Sequence, residues 1–252
     1  MRVTFLGTGS AMPLAERVQT GLLLEPAADD GGPLLVDCGA GVLHRLSQTD
    51  PGYEAVSTVL LTHHHLDHVS DLLALLKARW LAGEDHLEVV GPTGTKALVD
   101  DLLGVHDYLD GRVDLQVREI HPNEPFAVSG FEVAARETRH SMPCLAYRFS
   151  EPGSDDEFVF SGDTEAFEGL STFADGAKVL AHDCSFPDEV DVDNHPIPSQ
   201  LGAALSGYDV GRLYLTHLYP HTEGRHEEMI ESVRERFDGD VRVARDGLRF
   251  EV

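Results

Sequence analysis

The sequence predicts an α/β fold in which two β-sheets pack together with helices outside, as a single domain over residues 1–252. Three observations predict it. The chain is long enough for one large core, and short apolar runs of the kind found in buried strands recur along it. Strands followed by alternating strand and helix units also occur twice, with no low-complexity segment or strong linker between them.

The first half opens with apolar extended runs and then alternates helices with strands. Strands are predicted at residues 3–6, 21–24, 34–37, 56–61 and 86–90, and helices at 41–49, 71–81 and 95–103. The strands are short runs of Val and Leu, whereas the helices space their apolar residues by three and four. The glycine-rich, acidic stretch 26–33 predicts a hairpin loop between the second and third strands.

The second half continues with strands at residues 113–120 and 126–135, and a second sheet is predicted to follow with strands at 145–149, 158–161 and 179–181. A further strand is predicted at 212–215, and helices are predicted at 200–206 and 227–237. Residues 152–156 read Pro-Gly-Ser-Asp-Asp, which predicts a hairpin turn. Two final strands, 241–244 and 248–252, are predicted to form a last hairpin over Asp246-Gly247, because Asp-Gly is a strong turn signal.

Charge sets this chain apart from an average protein. It has 44 acidic and 19 basic residues, a formal net charge of −25, and an ordinary 42% of hydrophobic residues. An acidic shell on a normal core stays hydrated in concentrated salt, which screens its self-repulsion. The composition therefore predicts a halophilic protein. Because no basic stripe is evident, it also weakens the case for a nucleic-acid-binding surface.

The cellular compartment is inferred from cysteine use and hydropathy. Three cysteines, Cys38, Cys144 and Cys184, are odd in number and widely spaced, which favours reduced thiols over a disulfide framework. The N-terminus reads as a strand rather than a signal peptide, and no apolar run is long enough for a membrane span. We expect a cytoplasmic protein that does not enter membranes.

The most informative segment is Thr62-His-His-His-Leu-Asp-His68, directly after a buried strand. Imidazole nitrogen and carboxylate oxygen suit divalent metals such as zinc. In an extended segment, His63 and His65 point the same way, whereas His64 points to the other face. Four ligand-type side chains within six residues, His63, His65, Asp67 and His68, make a chance run of surface histidines improbable.

Three later strands also end in a residue that could bind metal. His140, Asp163 and His217 each follow a short apolar run, and strand ends can converge at one edge of a sheet. With the first cluster they complete two sites. We expect His63, His65 and His140 at the first metal, Asp67, His68 and His217 at the second, and Asp163 as the bridge.

Such a pair of metals would hold a nucleophilic hydroxide and clamp a phosphate or acyl oxygen. Asp67 could also orient that hydroxide. The ligands accept zinc, and manganese or iron as well.

Several motifs in order resemble the metallo-β-lactamase superfamily, and specifically its ribonuclease Z-like branch. They are Phe5-Leu-Gly-Thr-Gly-Ser10, Val36-Asp-Cys-Gly-Ala-Gly41, the 62–68 cluster, His140, Ser161-Gly-Asp-Thr164 and Thr216-His217. The resemblance covers nearly the whole chain. It implies a four-layer αββα sandwich with a dinuclear site at one edge, the ligand set given above, a supporting role for Asp37, and a homodimer.

Two further matches bear on catalysis. Ala181-His-Asp-Cys-Ser-Phe186 and Asn194-His-Pro-Ile-Pro-Ser199 are similar to the two loops that hold that branch's proton donor. The resemblance implies that His195 is the general acid for the leaving oxygen and that Asp183 orients its ring. Such a carboxylate-paired imidazole can deliver a proton. The alternative is that His195 only begins the helix that follows it.

Three departures from that branch bear on the substrate. The chain has no lysine-rich insertion that would form a tRNA-gripping arm, Leu-Tyr-Pro-His follows His217 where an Arg-containing ending is expected, and Pro-Ile-Pro follows His195. The sequence therefore predicts a dinuclear hydrolase of small phosphodiesters or short nucleic acids. The alternatives are a tRNA 3′-processing endonuclease, a thioester hydrolase or β-lactamase, and a non-catalytic metal-binding protein.

Overall fold

The computed structural model describes residues 1–27, 31–109, 111–190 and 192–252. Its first sheet has seven strands, and one of them comes from the far end of the sequence. In spatial order they are β14 (Arg249–Glu251), β1 (Arg2–Gly7), β2 (Gly21–Glu25), β3 (Leu34–Val36), β4 (Thr58–Leu60), β5 (His86–Gly91) and β6 (Asp114–Glu119). The pairs from β3 to β6 are parallel and the others are antiparallel, so the sheet is mixed.

The second sheet also has seven strands and is also mixed. In spatial order they are β13 (Asp240–Val243), β12 (Arg212–Thr216), β11 (Val179–Asp183), β10 (Glu157–Phe160), β9 (Leu145–Ser150), β8 (Phe131–Glu137) and β7 (Phe126–Val128). The strands from β10 to β13 run parallel. Their carboxyl ends therefore meet at one edge of the sheet.

Helices cover the outer face of each sheet. They are α1 (Val42–Leu46), α2 (Leu66–Val69), α3 (Leu72–Ala82), α4 (Thr95–Val105), α5 (Glu168–Ala174), α6 (Pro198–Ala204) and α7 (His226–Arg234). A central core between the sheets joins Phe5 of the first to Tyr147 and Tyr214 of the second. Separate outer cores pack helices on the first sheet and on the second. This arrangement confirms the αββα sandwich.

Alternating burial explains why the segment of β8 forms a strand. Along β8 the side chains of Phe131, Val133 and Ala135 are buried, whereas those between them lie nearer the surface. A strand of period two buries one face in this way. The predicted helix at 71–81 corresponds to α3 and the predicted turn at 152–156 joins the antiparallel pair β9 and β10. Part of the predicted 26–33 loop lies outside the described residues.

The predicted hairpin over Asp246-Gly247 is wrong. β13 pairs with β12 in the second sheet, whereas β14 pairs with β1 in the first. The side chain of Asp246 explains the difference, because it turns inward. Its carboxylate accepts hydrogen bonds from the Thr8 amide at 3.0 Å, the Thr8 hydroxyl at 2.7 Å and the Val18 amide at 2.7 Å. The turn therefore crosses from one sheet to the other.

Hydrogen bonds also join the two sheets at the edge formed by the carboxyl ends of β1, β4 and β12. The Leu218 amide after β12 donates to the Thr8 carbonyl after β1 at 2.9 Å, next to a parallel bridge between Gly9 and Leu218. The Leu145 amide in β9 donates to the Thr62 carbonyl after β4 at 3.0 Å. These bonds hold the end of β4 against the ends of the strands in the second sheet.

Candidate metal centre

Asp37, directly after β3, shapes the loop that carries the first cluster. Its backbone is left-handed, with φ of 59°. Its buried carboxylate accepts hydrogen bonds from the Thr62 amide and hydroxyl, both at 2.8 Å, and from Nδ1 of His68 at 2.8 Å. A non-glycine residue in a sparsely populated conformation costs about 1–3 kcal/mol. The bonds from both ends of the cluster offset that cost and fix the loop.

His63, His65 and His140 direct ring nitrogens towards one point beside Asp163. Nδ1 of His65 lies 3.0 Å from Nε2 of His63 and 3.1 Å from Nε2 of His140. Oδ2 of Asp163 lies 3.7 Å from the His63 nitrogen and 3.8 Å from the His140 nitrogen. Zinc–nitrogen bonds of 2.0–2.1 Å put neighbouring tetrahedral ligand atoms about 3.3 Å apart. These spacings suit one ion.

Asp67, His68 and His217 form a second group that shares Asp163 with the first. Nε2 of His217 lies 3.1 Å from Oδ2 of Asp67 and 3.3 Å from Oδ2 of Asp163. Nε2 of His68 lies 3.4 Å from Oδ1 of Asp163. The structure thus brings all seven candidate ligands together, with Asp163 between the two groups.

The donor atoms of this cluster fit a pair of divalent ions. The Nδ1 atoms of three histidines face outward, where His63 donates to the Thr62 hydroxyl at 3.0 Å, His68 to Asp37, and His217 to the Ser185 hydroxyl at 2.9 Å. Such bonds fix the tautomer that leaves Nε2 free for a metal. Among the described residues, Nε2 of His68 is buried without a hydrogen-bond partner. A cation would supply that partner.

Burial and neighbouring charges determine the protonation of the cluster. Burial lowers the pKa of His63 well below its ordinary value, and the nearby imidazoles add to the effect. Burial opposes ionisation of Asp163, yet His217, His68 and His63 hold the pKa of that carboxyl well below its usual range. Burial likewise opposes charge on His68, but Asp163 and Asp37 hold its pKa well above normal. A bound cation would replace the His68 proton.

His195 lies beside the cluster and pairs with Asp183 at the end of β11. Nδ1 of His195 donates to Oδ2 of Asp183 at 2.7 Å, and its ring stacks on His217 with centroids 5.3 Å apart. Burial would lower the pKa of His195, but the Asp183 carboxylate more than offsets this and raises it to about 9. The left-handed Asn194, with φ of 70°, turns the chain immediately before this residue.

Sequence reasoning missed Ser185, which connects this pair to the cluster. Its hydroxyl donates to Oδ1 of Asp183 at 2.6 Å and accepts from Nδ1 of His217. A serine two residues after Asp183 gives no distinctive signal in the sequence. His64 faces away from the cluster, as expected, and its Nε2 meets the Thr95 hydroxyl at 2.8 Å. His182 is buried, with Nδ1 donating to the Asp183 carbonyl at 2.7 Å.

A cleft of about 360 Å³ opens onto these side chains. Its walls include five of the candidate ligands, which are His65, Asp67, His140, Asp163 and His217, together with His195, Asn194, Asp193, Tyr219, Ala11 and Leu66. The ring of Tyr219 stacks on Phe186 with centroids 4.5 Å apart. A substrate in this cleft would therefore meet the metal ligands and the His195 imidazole together.

No helix in the described part of the chain combines the length and hydropathy required to cross a bilayer.

Known proteins resemble this chain over its full length. Ribonuclease Z from Mycobacterium avium is 31% identical over 280 residues, covering 100% of this chain and 98% of that protein. Ribonuclease Z from Methanopyrus kandleri is 31% identical over 283 residues, covering 98% and 96%. These alignments are longer than the 252 residues of this chain, so the relatives contain segments without a counterpart here.

Solved structures and a family model agree with these relatives. The metallo-beta-lactamase fold protein YhfI from Bacillus subtilis superposes with a TM-score of 0.84 at 25% identity, covering 100% of this chain and 99% of that one. The short form of human tRNase Z has a TM-score of 0.80 at 21% identity, with the same coverage, and shows the shared fold. The model of a beta-lactamase superfamily domain matches residues 33–218. The chain therefore belongs to the metallo-β-lactamase superfamily and to its ribonuclease Z-like branch, as its motifs predict.

Proposed function

We propose that this protein is a dinuclear metal-dependent hydrolase that cleaves phosphodiesters. The observation that carries the proposal is the convergence of seven ligand-type side chains beside a carboxylate-paired histidine, with five of the seven and that histidine lining one cleft. His63, His65 and His140 would hold one ion, Asp67, His68 and His217 the other, and Asp163 would bridge them. The donor set favours zinc, and it also accepts manganese or iron.

The two ions, when bound, would lower the pKa of water and neutralise charge on the phosphoryl oxygens. The chain's own residues would orient the water and protonate the leaving group. Asp67 can accept a hydrogen bond from the attacking water and so orient it. His195 donates the proton that the leaving alkoxide requires, and Asp183 keeps Nδ1 protonated so that Nε2 faces the cleft. Ser185 holds both Asp183 and the His217 ring.

A tRNA 3′-processing endonuclease is the second candidate. Its support is the name of the relatives, which are ribonuclease Z proteins of closely similar extent. Against it stand the net charge of −25 and the relatives' additional segments. A polyanionic tRNA requires many cationic contacts, so we place small phosphodiesters and short nucleic acids ahead of it. A homodimer and a cytoplasmic location stay predictions.

Hydrolysis of bis(p-nitrophenyl) phosphate at molar salt with zinc or manganese tests this proposal. We expect release of p-nitrophenol that a chelator abolishes and that the metal restores. His65→Ala should lower kcat/KM by about 100-fold or more, because it removes a ligand from the first ion. His86→Ala is the matched control, since His86 is a partly exposed histidine paired with Asp114 on the surface.

Metal analysis and a precursor tRNA complete the experiment. We expect about two ions per chain in wild type and fewer in His65→Ala. A protein that binds two ions yet hydrolyses no phosphodiester would be a metal-binding protein on this scaffold. Cleavage of the tRNA precursor with a much higher kcat/KM than the small ester would establish the second candidate instead.

A further inference from the structure

We propose that the cleft selects a small phosphodiester with one negative charge and an apolar or aromatic ester group, which packs against an apolar lip formed by Ala11 and Leu66, with Met12 the next residue in the chain. This inference rests on the proposed function. It goes further by assigning the substrate's organic part to one wall of the cleft. Three features of the described residues support it: the charge of the walls, the apolar lip and the size of the cleft.

The described walls of the cleft are poor in cationic side chains that could bind an extended polyanion. Among the described residues that line it, none is Lys or Arg, whereas Asp67, Asp163 and Asp193 contribute carboxylates. The lysines lie elsewhere: Lys96 pairs with Asp100, Lys178 pairs with Asp156, and Lys77 lies over the Tyr108 ring. Two divalent ions would balance one phosphodiester held between them. Beyond these ions the described lining offers imidazoles, and no Lys or Arg, to a chain of further phosphates.

The apolar lip is unusual because it is exposed and adjoins charged ligands. Leu66 is 76% exposed and lies between two candidate ligands, His65 and Asp67, and Met12 is 46% exposed in the loop after β1. Both Leu66 and Ala11 line the cleft. Single exposed apolar side chains need no explanation. Apolar side chains at the mouth of a polar site offer a surface that an ester substituent can cover.

The size of the cleft limits the ligand. About 360 Å³ falls near the lower end of small-molecule sites, which span roughly 300–1,000 Å³. One phosphoryl group at the ions leaves room for two small ester groups and for no longer chain. Tyr219, whose ring is fixed by stacking on Phe186, also lines the cleft.

Calorimetric titration of the zinc-loaded His195→Ala variant at 2 M KCl tests the inference, because loss of the proposed proton donor slows turnover of the probes. The probes are diphenyl phosphate and dimethyl phosphate, which carry the same charge and differ only in their ester groups. We expect diphenyl phosphate to bind about tenfold more tightly. Leu66→Ser should reduce that ratio to about threefold or less. Leu81→Ser should leave it unchanged, because Leu81 is 68% exposed at the far end of α3.

A penta-deoxythymidylate strand tests the charge argument. Between 2 M and 0.5 M KCl we expect its affinity to stay below that of diphenyl phosphate. Equal affinity for the two diesters, a ratio that Leu66→Ser leaves unchanged, or tighter binding of the strand at the lower salt would each overturn the inference. So would a wild-type dimer that Leu66→Ser converts into monomers, because the lip would then be an interface between copies.

The hydrolysis assay separates this inference from the proposed function. If the binding preference persists but no phosphodiester is cleaved, the proposed function fails and the selectivity of the cleft stands. If esters are cleaved while both diesters bind equally, the selectivity fails and the proposed function stands. Zinc content measured for each variant shows whether Leu66→Ser has disturbed the neighbouring ligands.

Discussion

At the scale of single residues, hydrogen bonds behind the ligands do as much as the ligands to define the centre. Asp37 joins both ends of the first cluster, and Ser185 joins His217 to the Asp183–His195 pair. The seven ligand positions could be predicted because imidazoles and carboxylates at strand ends are a strong chemical signal. Ser185 could not, because its role comes from loops that meet only after folding.

The first prediction concerns Ser185. Ser185→Ala removes the acceptor for Nδ1 of His217, and the imidazole loses its fixed tautomer and orientation. We expect zinc affinity to fall about 10–100-fold, as for other outer partners of metal-bound histidines, in a competition titration with a chromogenic chelator. Ser171→Ala is the control, since Ser171 is also buried but lies in α5 and bonds the Phe167 carbonyl. Unchanged affinity in Ser185→Ala would contradict the assigned role.

At the scale of elements, the position of His195 depends on the segment between β11 and α6. Asp188 attaches that segment to two helices. Its carboxylate accepts hydrogen bonds from the Ser199 amide of α6, at 2.9 Å, and from the Ser232 hydroxyl of α7. Burial would raise the pKa of Asp188, but the bonds from Ser199 and Ser232 outweigh it and leave the pKa lowered. The carboxylate is therefore a pH-dependent anchor for the proposed proton donor.

The second prediction follows from this anchor. Asp188→Ala should lower the free energy of unfolding by about 1 kcal/mol at neutral pH, the usual cost of losing such a bond. Because the folded pKa lies below that of the unfolded chain, the contribution is complete above roughly pH 4 and is lost as the pH falls through the folded pKa. Urea denaturation of both proteins from pH 7 to pH 3 should show their stabilities converging.

An exposed aspartate provides the comparison. Asp238→Ala changes an exposed carboxylate in the turn after α7 and should alter stability little at any of these pH values. A difference between wild type and Asp188→Ala that stays constant down to pH 3 would show that packing, and not the charge, accounts for the effect.

The sequence predicted most elements but mispaired the last two strands. Strand identity follows from local apolar periodicity, and β13 and β14 were both expected near their observed positions. Their partners depend on contacts far along the chain. Asp246-Gly247 has the composition of a tight hairpin turn, yet the bonds of Asp246 to Thr8 and Val18 direct β14 into the first sheet. No local sequence pattern predicts which of the two sheets a strand joins.

At the scale of the whole molecule, the dominant property is a net charge of −25 over an ordinary apolar core. Carboxylates outnumber their cationic partners, so much of the surface repels itself at low ionic strength. The Debye length falls from about 10 Å at 0.1 M salt to about 3 Å at 1 M. Screening should therefore stabilise the folded state, in keeping with the halophilic character that we continue to propose.

The third prediction is that Tm rises by about 5 °C or more between 0.1 M and 2 M KCl. A gain of 1 kcal/mol shifts Tm by roughly 2–4 °C in a domain of this size. Differential scanning calorimetry measures it, and sucrose at matched osmolality separates screening from general exclusion of solute. A Tm that does not change with KCl would show that the acidic surface is adapted to some other condition.

The edge at which the two sheets meet has a consequence for how the protein responds to metal depletion. Four of the proposed ligands follow β4 in the first sheet, and His140, Asp163 and His217 follow strands of the second. Bound ions would therefore crosslink the two sheets at this edge, beside the amides of Leu145 and Leu218 that already join them. Removal of metal should first weaken the contact between the two sheets at this edge. The supply of metal would therefore affect how long the chain stays folded as well as its rate of turnover.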